Sequence, residues 1–99
     1  MFRKPLVATL ALVALHAHAQ ENAAARSLAA TCANCHGTDG RSVTKEMASL
    51  AGLPKDYLVA QMKAFRDGAR PATIMHQLAK GYNDAQIELL ADYFSRRAQ

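Results

Sequence analysis

The stretch "TCANCHG", residues 31–37, contains both cysteines of this 99-residue chain and places a histidine directly after the second one. Three kinds of chemistry use such a cluster: a redox-active dithiol, part of a zinc site, and covalent attachment of haem. Each of them requires different surroundings in the fold. The remaining sequence therefore indicates which chemistry the cluster serves.

The N-terminal residues 1–19 have the pattern of a secretory signal peptide. Two basic residues precede an uncharged apolar run, which ends at the small-x-small sequence Ala17-His18-Ala19. The run from Leu6 to Leu15 has about half of the roughly 20 residues that a membrane-spanning helix needs. We therefore expect cleavage after Ala19, export to the periplasm, and a mature domain of residues 20–99 without a membrane span.

Removal of the signal leaves a single domain with little net charge. It has 10 Lys and Arg against 8 Asp and Glu, a net charge of +2. Nucleic-acid-binding domains concentrate basic residues on one face, so this balance argues against a nucleic-acid partner. A domain of about 80 residues often needs a disulfide, a metal or a cofactor to complete its core. A Cys-x-x-Cys disulfide closes a very short loop and stabilises weakly, so we expect another group at the centre.

The first half of the mature chain predicts one helix followed by a long loop. Residues from Glu21 to about Cys35 are rich in alanine and contain no glycine or proline, which favours a helix. If the last turn of this helix includes the cluster, Cys32, Cys35 and His36 share one face at i, i+3 and i+4. The segment 37–52 contains three glycines among polar residues and is expected to be mostly loop.

The second half predicts further helices and no strands. Leu58, Met62 and Phe65 form an apolar stripe in a helix that follows Pro54 and ends at Gly68. A loop or short helix then ends near residue 81. A last helix, capped by residue 83 or 84, has buried positions at Ile87, Leu90, Ala91 and Phe94. The fold class is therefore all-α.

The cluster matches haem attachment better than it matches the two alternatives. A redox dithiol is expected beside a βαβ unit, and this chain shows no strand pattern. A structural zinc site usually takes four Cys or His ligands, which the mature chain supplies only if His76 joins the cluster. In the Cys-x-x-Cys-His pattern of c-type haem, Cys32 and Cys35 form thioethers with the porphyrin vinyl groups, and His36 becomes the proximal iron ligand.

The second axial ligand decides whether a haem iron transfers electrons or binds other molecules. Met75 lies 39 residues after His36 and follows a loop with proline, so the chain can reach the opposite haem face. We predict Met75 as the distal ligand. His76 is the alternative and would give a bis-histidine haem, whereas Met47 and Met62 are expected to serve in packing.

Four segments resemble a known family and together cover essentially all of residues 21–98. They are "LAATCANCHGTDGRS", "SLAGLPKDYLVAQMKAFRDGARP", "TIMHQLAKGY" and "IELLADYF". Each is similar to a segment of small class I c-type cytochromes, in the cytochrome c4 and c553 group and in the haem subunit of flavocytochrome c sulfide dehydrogenase. The resemblance implies the class I cytochrome c fold, with helices and long loops around one covalently bound haem c.

By this resemblance, Cys32 and Cys35 bind the haem, and His36 and Met75 are the axial ligands of its iron. The Tyr93-Phe94 pair is expected where the last helix crosses the first.

The loop after the cluster departs from the family pattern at one position. A ligating imidazole needs an acceptor for its second ring nitrogen, and we expect a backbone carbonyl between Met47 and Leu50 to provide it for His36. Such proteins often have a proline just before Ser-Leu-Ala-Gly, whose carbonyl orients the axial histidine. This chain has Ala48 there, which keeps the carbonyl but loses the fixed φ of proline.

These features predict an electron-transfer protein that is not itself an enzyme. The leading hypothesis is a periplasmic monohaem carrier that passes single electrons between redox partner proteins as its iron alternates between Fe(II) and Fe(III). The alternative is the haem subunit of a flavocytochrome c sulfide dehydrogenase-type enzyme with an exported flavoprotein partner. A haem sensor or peroxidase would need an exchangeable sixth ligand, which Met75 would exclude.

Overall fold

A computed structural model describes residues 23–99, so the predicted signal peptide lies outside the described part. These residues form helices joined by loops, and no strand occurs among them. In chain order the elements are α1 (residues 23–30), α2 (Ala33–His36), a 3₁₀ turn (Thr38–Gly40), α3 (Lys55–Asp67), α4 (Met75–Ala79) and α5 (Asp84–Ser95). The all-α prediction is confirmed.

The core of the domain lies around α5. Ile87 is fully buried, and α5 also contributes Leu90, Ala91, Tyr93 and Phe94 to the buried set. Four of these five, all except Ile87, pack in one cluster with Ala29 of α1 and Leu58 of α3. The last helix therefore packs against both α1 and α3. The Tyr93 and Phe94 rings add an edge-to-face contact, with centroids 5.2 Å apart.

The predicted bounds of α3 and the predicted start of α5 are confirmed, and local chemistry explains them. Pro54 precedes α3, and Gly68 ends it in the left-handed conformation (φ 79°) while its N–H donates to the carbonyls of Ala64 and Phe65. Asn83 caps α5 through a capping box in which its side chain and that of Gln86 each accept a backbone N–H. These three boundaries are thus set by the sequence close to them.

The first helix differs from the prediction because it is interrupted at residues 31 and 32. The Thr31 hydroxyl donates to the Leu28 carbonyl (3.3 Å), which would accept the Cys32 N–H in a continuous α-helix. The Cys32 N–H instead donates to Ala29 (3.1 Å), an i to i−3 bond that tightens the chain. The cluster therefore occupies a separate short helix, α2.

The apolar stripe of α3 is only partly buried. Leu58 is buried among the described residues, whereas Met62 and Phe65 are half-buried. Met47, which was expected to pack in the interior, is exposed at 37% of its surface. The packing prediction for Met47 is therefore wrong, because the loop that contains it runs along the surface.

Replacing Ile87 with alanine should lower the free energy of unfolding by about 2–5 kcal/mol, since its whole side chain is buried and a cavity would remain. The matched control is Leu89→Ala in the same helix, because Leu89 is 39% exposed and should lose less than about 1 kcal/mol. Urea unfolding measures both changes. Equal losses in the two variants would contradict the position of the core.

Candidate functional site

The structure brings three predicted site residues, Cys32, Cys35 and His36, together in one turn. The N–H groups of Cys35 and His36 both donate to the Cys32 carbonyl, at 3.3 and 2.9 Å. Both cysteines are free thiols, Cys32 half-buried and Cys35 exposed. Two thiols and an imidazole thus lie at positions i, i+3 and i+4 of one helical turn, as the sequence spacing predicted.

The orientation of His36 is set by a backbone carbonyl. Its Nδ1 atom lies 2.7 Å from the carbonyl oxygen of Ala48, which confirms that the loop between Met47 and Leu50 provides the acceptor. A carbonyl oxygen only accepts hydrogen bonds, so Nδ1 must hold the proton. The Nε2 atom of the neutral ring then has its lone pair free, which is the form in which histidine binds a metal.

Two glycines shape the backbone between the cluster and this loop. Gly37 directly follows His36 with φ 83°, and a Cβ there would lie 1.9 Å from the carbonyl oxygen of Arg41. Gly40 has φ 78°, and a Cβ there would lie 2.8 Å from the Phe94 ring. Side chains at these positions would force the loop away from α2 and α5. The glycines thus allow the chain to turn back beside His36.

The Cys32 thiol is unlike that of a redox dithiol. Burial raises its pKa above the ordinary value, although a hydrogen bond with Thr31 acts in the opposite direction. Reactive dithiol motifs lower the thiol pKa because the thiolate is the nucleophile. The environment of Cys32 therefore does not provide the lowered thiol pKa that a reactive dithiol uses.

The described part of the chain contains no complete set of ligands for the zinc site considered above. Residues 23–99 contain no group of three or more His, Cys, Asp or Glu side chains arranged to hold a metal ion. His76, the fourth donor that the zinc hypothesis needed, lies on α4, a separate helix from the cluster.

Met75 and His76 are neighbours at the start of α4, and both are half-buried. This short helix packs against α3, whereas α2 packs against the 3₁₀ turn. The structure therefore does not place Met75 in the turn that holds the other three predicted residues. The Nδ1 atom of His76 is buried and has no hydrogen-bond partner in the described residues.

One contact of the site region could not be predicted from the sequence. The Tyr93 hydroxyl donates to the Asp39 carboxylate at 2.7 Å and joins the segment after the cluster to α5. Asp39 itself has a positive φ of 54°, which is uncommon for a residue other than glycine. The Asp-Gly pair signals a turn, but nothing in the sequence identifies a tyrosine 54 positions later as its partner.

The geometry agrees with the family to which the chain is similar. A cytochrome c family model matches residues 21–96. The cytochrome subunit of sulfide dehydrogenase from Chlorobaculum tepidum is 40% identical over 67 residues, which cover 68% of this chain and 60% of that relative. Cytochrome c-554(548) from Halomonas halodenitrificans is 38% identical, with 78% of this chain and 96% of the relative covered.

A solved structure supports the same fold. The cytochrome c4 structure of Acidithiobacillus ferrooxidans matches with a TM-score of 0.62 and 38% identity, covering 65% of this chain and 37% of that chain. The protein therefore belongs to the cytochrome c family and has the class I cytochrome c fold. The family implies a covalently bound haem c with its iron, which fits two free thiols beside a histidine with a free Nε2.

The chain is shorter than several relatives. It spans 60% of the sulfide dehydrogenase subunit, and 35% and 45% of two further curated relatives. Within residues 23–99, no helix has the length and apolar character needed to cross a membrane.

Replacing Tyr93 with phenylalanine should change how stability depends on pH. The hydrogen bond from Tyr93 lowers the pKa of Asp39, and the same bond raises the pKa of Tyr93. The contribution of Asp39 to the free energy of unfolding is therefore present above its unfolded pKa of about 4. It is lost as pH falls through the lower folded pKa. The Tyr93 contribution is present below its unfolded pKa of about 10 and is lost as pH rises through the higher folded value.

The urea midpoints of wild type and Tyr93→Phe should thus differ between about pH 5 and 9 and converge at both extremes. Tyr57→Phe is the control, because Tyr57 is an exposed tyrosine. A difference in urea midpoint between wild type and Tyr93→Phe that stays constant across the pH range would exclude the Asp39–Tyr93 bond as its cause.

Proposed function

We propose that this chain is a periplasmic monohaem c-type cytochrome that passes single electrons between redox partner proteins. The observation that supports the proposal most directly is the bond between His36 Nδ1 and the Ala48 carbonyl, 2.7 Å long. It leaves Nε2 free to bind iron on the same turn as two free thiols. The proposed domain is residues 20–99, after removal of the signal peptide 1–19.

Four residues would hold the haem. Cys32 and Cys35 would attach it through thioether bonds, His36 would bind its iron through Nε2, and Met75 would be the second axial ligand. When bound, haem c supplies one-electron chemistry by alternating between Fe(II) and Fe(III). A thioether opposite a histidine raises the reduction potential of such an iron and fills its coordination shell.

The chain holds the two thiols and the imidazole in fixed positions. The turn of α2 holds both thiols and the imidazole at fixed spacing, and Ala48 fixes the plane of the His36 ring. A protein that keeps the same ligands in both oxidation states needs little rearrangement when an electron arrives or leaves. With Met75 on the iron no position is open to a substrate, so we propose a carrier and not an enzyme.

The similarity to a relative named cytochrome subunit of sulfide dehydrogenase supports a second candidate. The same domain would then be the electron-accepting subunit of a sulfide-oxidising enzyme, with an exported flavoprotein as its partner. The haem would have the same ligands in both cases. The two candidates differ only in whether the partner stays bound.

Absorption spectra of oxidised and reduced protein, made in a host with haem-attachment machinery, test the ligands. Wild type should show a c-type spectrum with the weak long-wavelength band of methionine bound to ferric iron. Met75→Ala should lose this band and bind cyanide or carbon monoxide readily, because it opens a coordination position. His76→Ala, at the neighbouring position, is the matched control and should retain the band.

The reverse pattern, in which His76→Ala opens the iron and Met75→Ala does not, would assign His76 as the ligand. A protein without covalent haem in the same host would contradict the proposed function as a whole.

Native purification from the source organism distinguishes a free carrier from a subunit. A carrier should elute as a monomer whose reaction with its partners slows as salt screens the docking charges. A subunit should elute with a flavin-containing protein in constant ratio. Sequencing of the N-terminus of the same sample should begin at Gln20, and an N-terminus at Met1 would contradict export by signal cleavage.

A further inference from the structure

The Ala48 carbonyl that orients His36 lies in a loop without a hydrophobic anchor. The loop, residues 41–49, contains no buried residue, and Val43 at its start is 92% exposed. Alanine at position 48 does not fix its own φ as proline would. Something other than burial must therefore hold the carbonyl within 2.7 Å of the His36 ring.

Backbone contacts fix the two ends of this loop. The Arg41 N–H donates to the Thr38 carbonyl at 3.0 Å, which continues the 3₁₀ turn into the loop. At the other end, the carbonyl of Gly40 accepts the N–H groups of Leu50 (2.7 Å) and Ala51 (3.2 Å). The two ends of the loop are thereby held next to each other, but neither contact reaches Ala48.

A serine side chain bridges the two arms of the loop beside Ala48. The backbone N–H of Ser42 donates to the hydroxyl oxygen of Ser49 at 3.0 Å. The Ser42 hydroxyl in turn donates to the Thr44 carbonyl at 2.9 Å, which closes a tight turn in the first arm. Ser49 is therefore tied to the arm that begins at the fixed 3₁₀ turn.

Because Ser49 directly follows Ala48, the bond to its side chain also affects the Ala48 carbonyl. The carbonyl of Ala48 and the N–H of Ser49 belong to one planar peptide unit, so they rotate together. A bond that restrains Ser49 thus also restrains the direction in which the Ala48 carbonyl points. That carbonyl accepts the Nδ1–H of His36.

We propose that the Ser49 hydroxyl is a positioning group for His36: by accepting the Ser42 N–H, it keeps the Ala48 carbonyl aimed at the imidazole. The proposal rests on His36 being the iron ligand, as proposed above. A carbonyl that accepts Nδ1–H makes the imidazole a stronger donor to the metal. Stronger donation favours the ferric state, so loss of the Ser49 hydroxyl should favour the ferrous state.

The experiment compares Ser49→Ala with wild type as haem-loaded protein, using three measurements. Amide hydrogen exchange at Ser42 should become about fivefold faster, the effect of losing roughly 1 kcal/mol of hydrogen bonding. The Nδ1–H resonance of His36 should move and exchange faster with solvent. The ratio of ferrous to ferric protein at a fixed applied potential should rise by about twofold, since the imidazole donates less strongly.

Two further variants separate positioning from a general effect on the loop. Ser49→Thr retains the hydroxyl and should restore all three values toward wild type. Thr44→Val removes the Thr44 hydroxyl, which is exposed and makes no hydrogen bond in the described residues. This variant should leave all three measured values unchanged. Values for Ser49→Ala that equal those of Thr44→Val would overturn the proposal.

A test on unaltered protein covers the case in which Ser49→Ala does not fold. In wild type, the Ser42 amide should exchange several-fold more slowly than that of its exposed neighbour Val43. Equal exchange at the two amides would overturn the proposal without any variant. Failure of the proposed function is distinguishable, because wild type would then lack the c-type spectrum altogether.

Discussion

The bond between the His36 ring and the Ala48 carbonyl is the interaction on which the site depends. It fixes the tautomer of the imidazole, and through the tautomer it decides which nitrogen has a free lone pair. It also joins α2 to a loop that has no buried residue of its own. A single contact thus couples the chemistry of the cluster to the conformation of the chain that follows it.

The loop reaches this position because both of its flanks are held by α5. The Gly52 N–H donates to the Phe94 carbonyl at 2.9 Å, and the Tyr93 hydroxyl donates to Asp39 at 2.7 Å. Adjacent residues of one helix therefore bind the chain before and after the loop. The same two aromatic residues pack with Ala29 of α1, so they stabilise both the core and the site.

Ion pairs contribute less to this arrangement than packing does. The Arg66 guanidinium lies 2.7 Å from Asp84 and connects α3 to the start of α5, but the carboxylate side chain is 68% exposed. The pairs Lys55–Glu88 and Arg96–Asp92 are also open to solvent on both sides. Solvent-exposed pairs typically contribute at most about 1 kcal/mol. The burial of Ile87 and its neighbours on α5 is the larger effect.

The elements that the sequence predicted well are those whose signals are local. Pro54 and Gly68 set the two ends of α3, because proline restricts the backbone at its own position and glycine allows the left-handed conformation. The capping box of Asn83 likewise depends on residues within one turn. The first helix was predicted less well, because a hydroxyl of Thr31 competes for a carbonyl that composition alone assigns to the helix.

The sequence by itself determined the class of fold and indicated the chemistry of the cluster. The Cys-x-x-Cys-His spacing, the helical periods and the absence of strand patterns all act over a few residues, where the backbone geometry is known in advance. The axial roles of His36 and Met75 remain predictions from the same evidence. The tertiary structure confirmed that the Ala48 carbonyl meets His36. Only the tertiary structure decided that Tyr93 binds Asp39 and that Ser49 bridges to Ser42. These contacts join residues 7 to 54 positions apart, and their partners depend on how the whole chain packs.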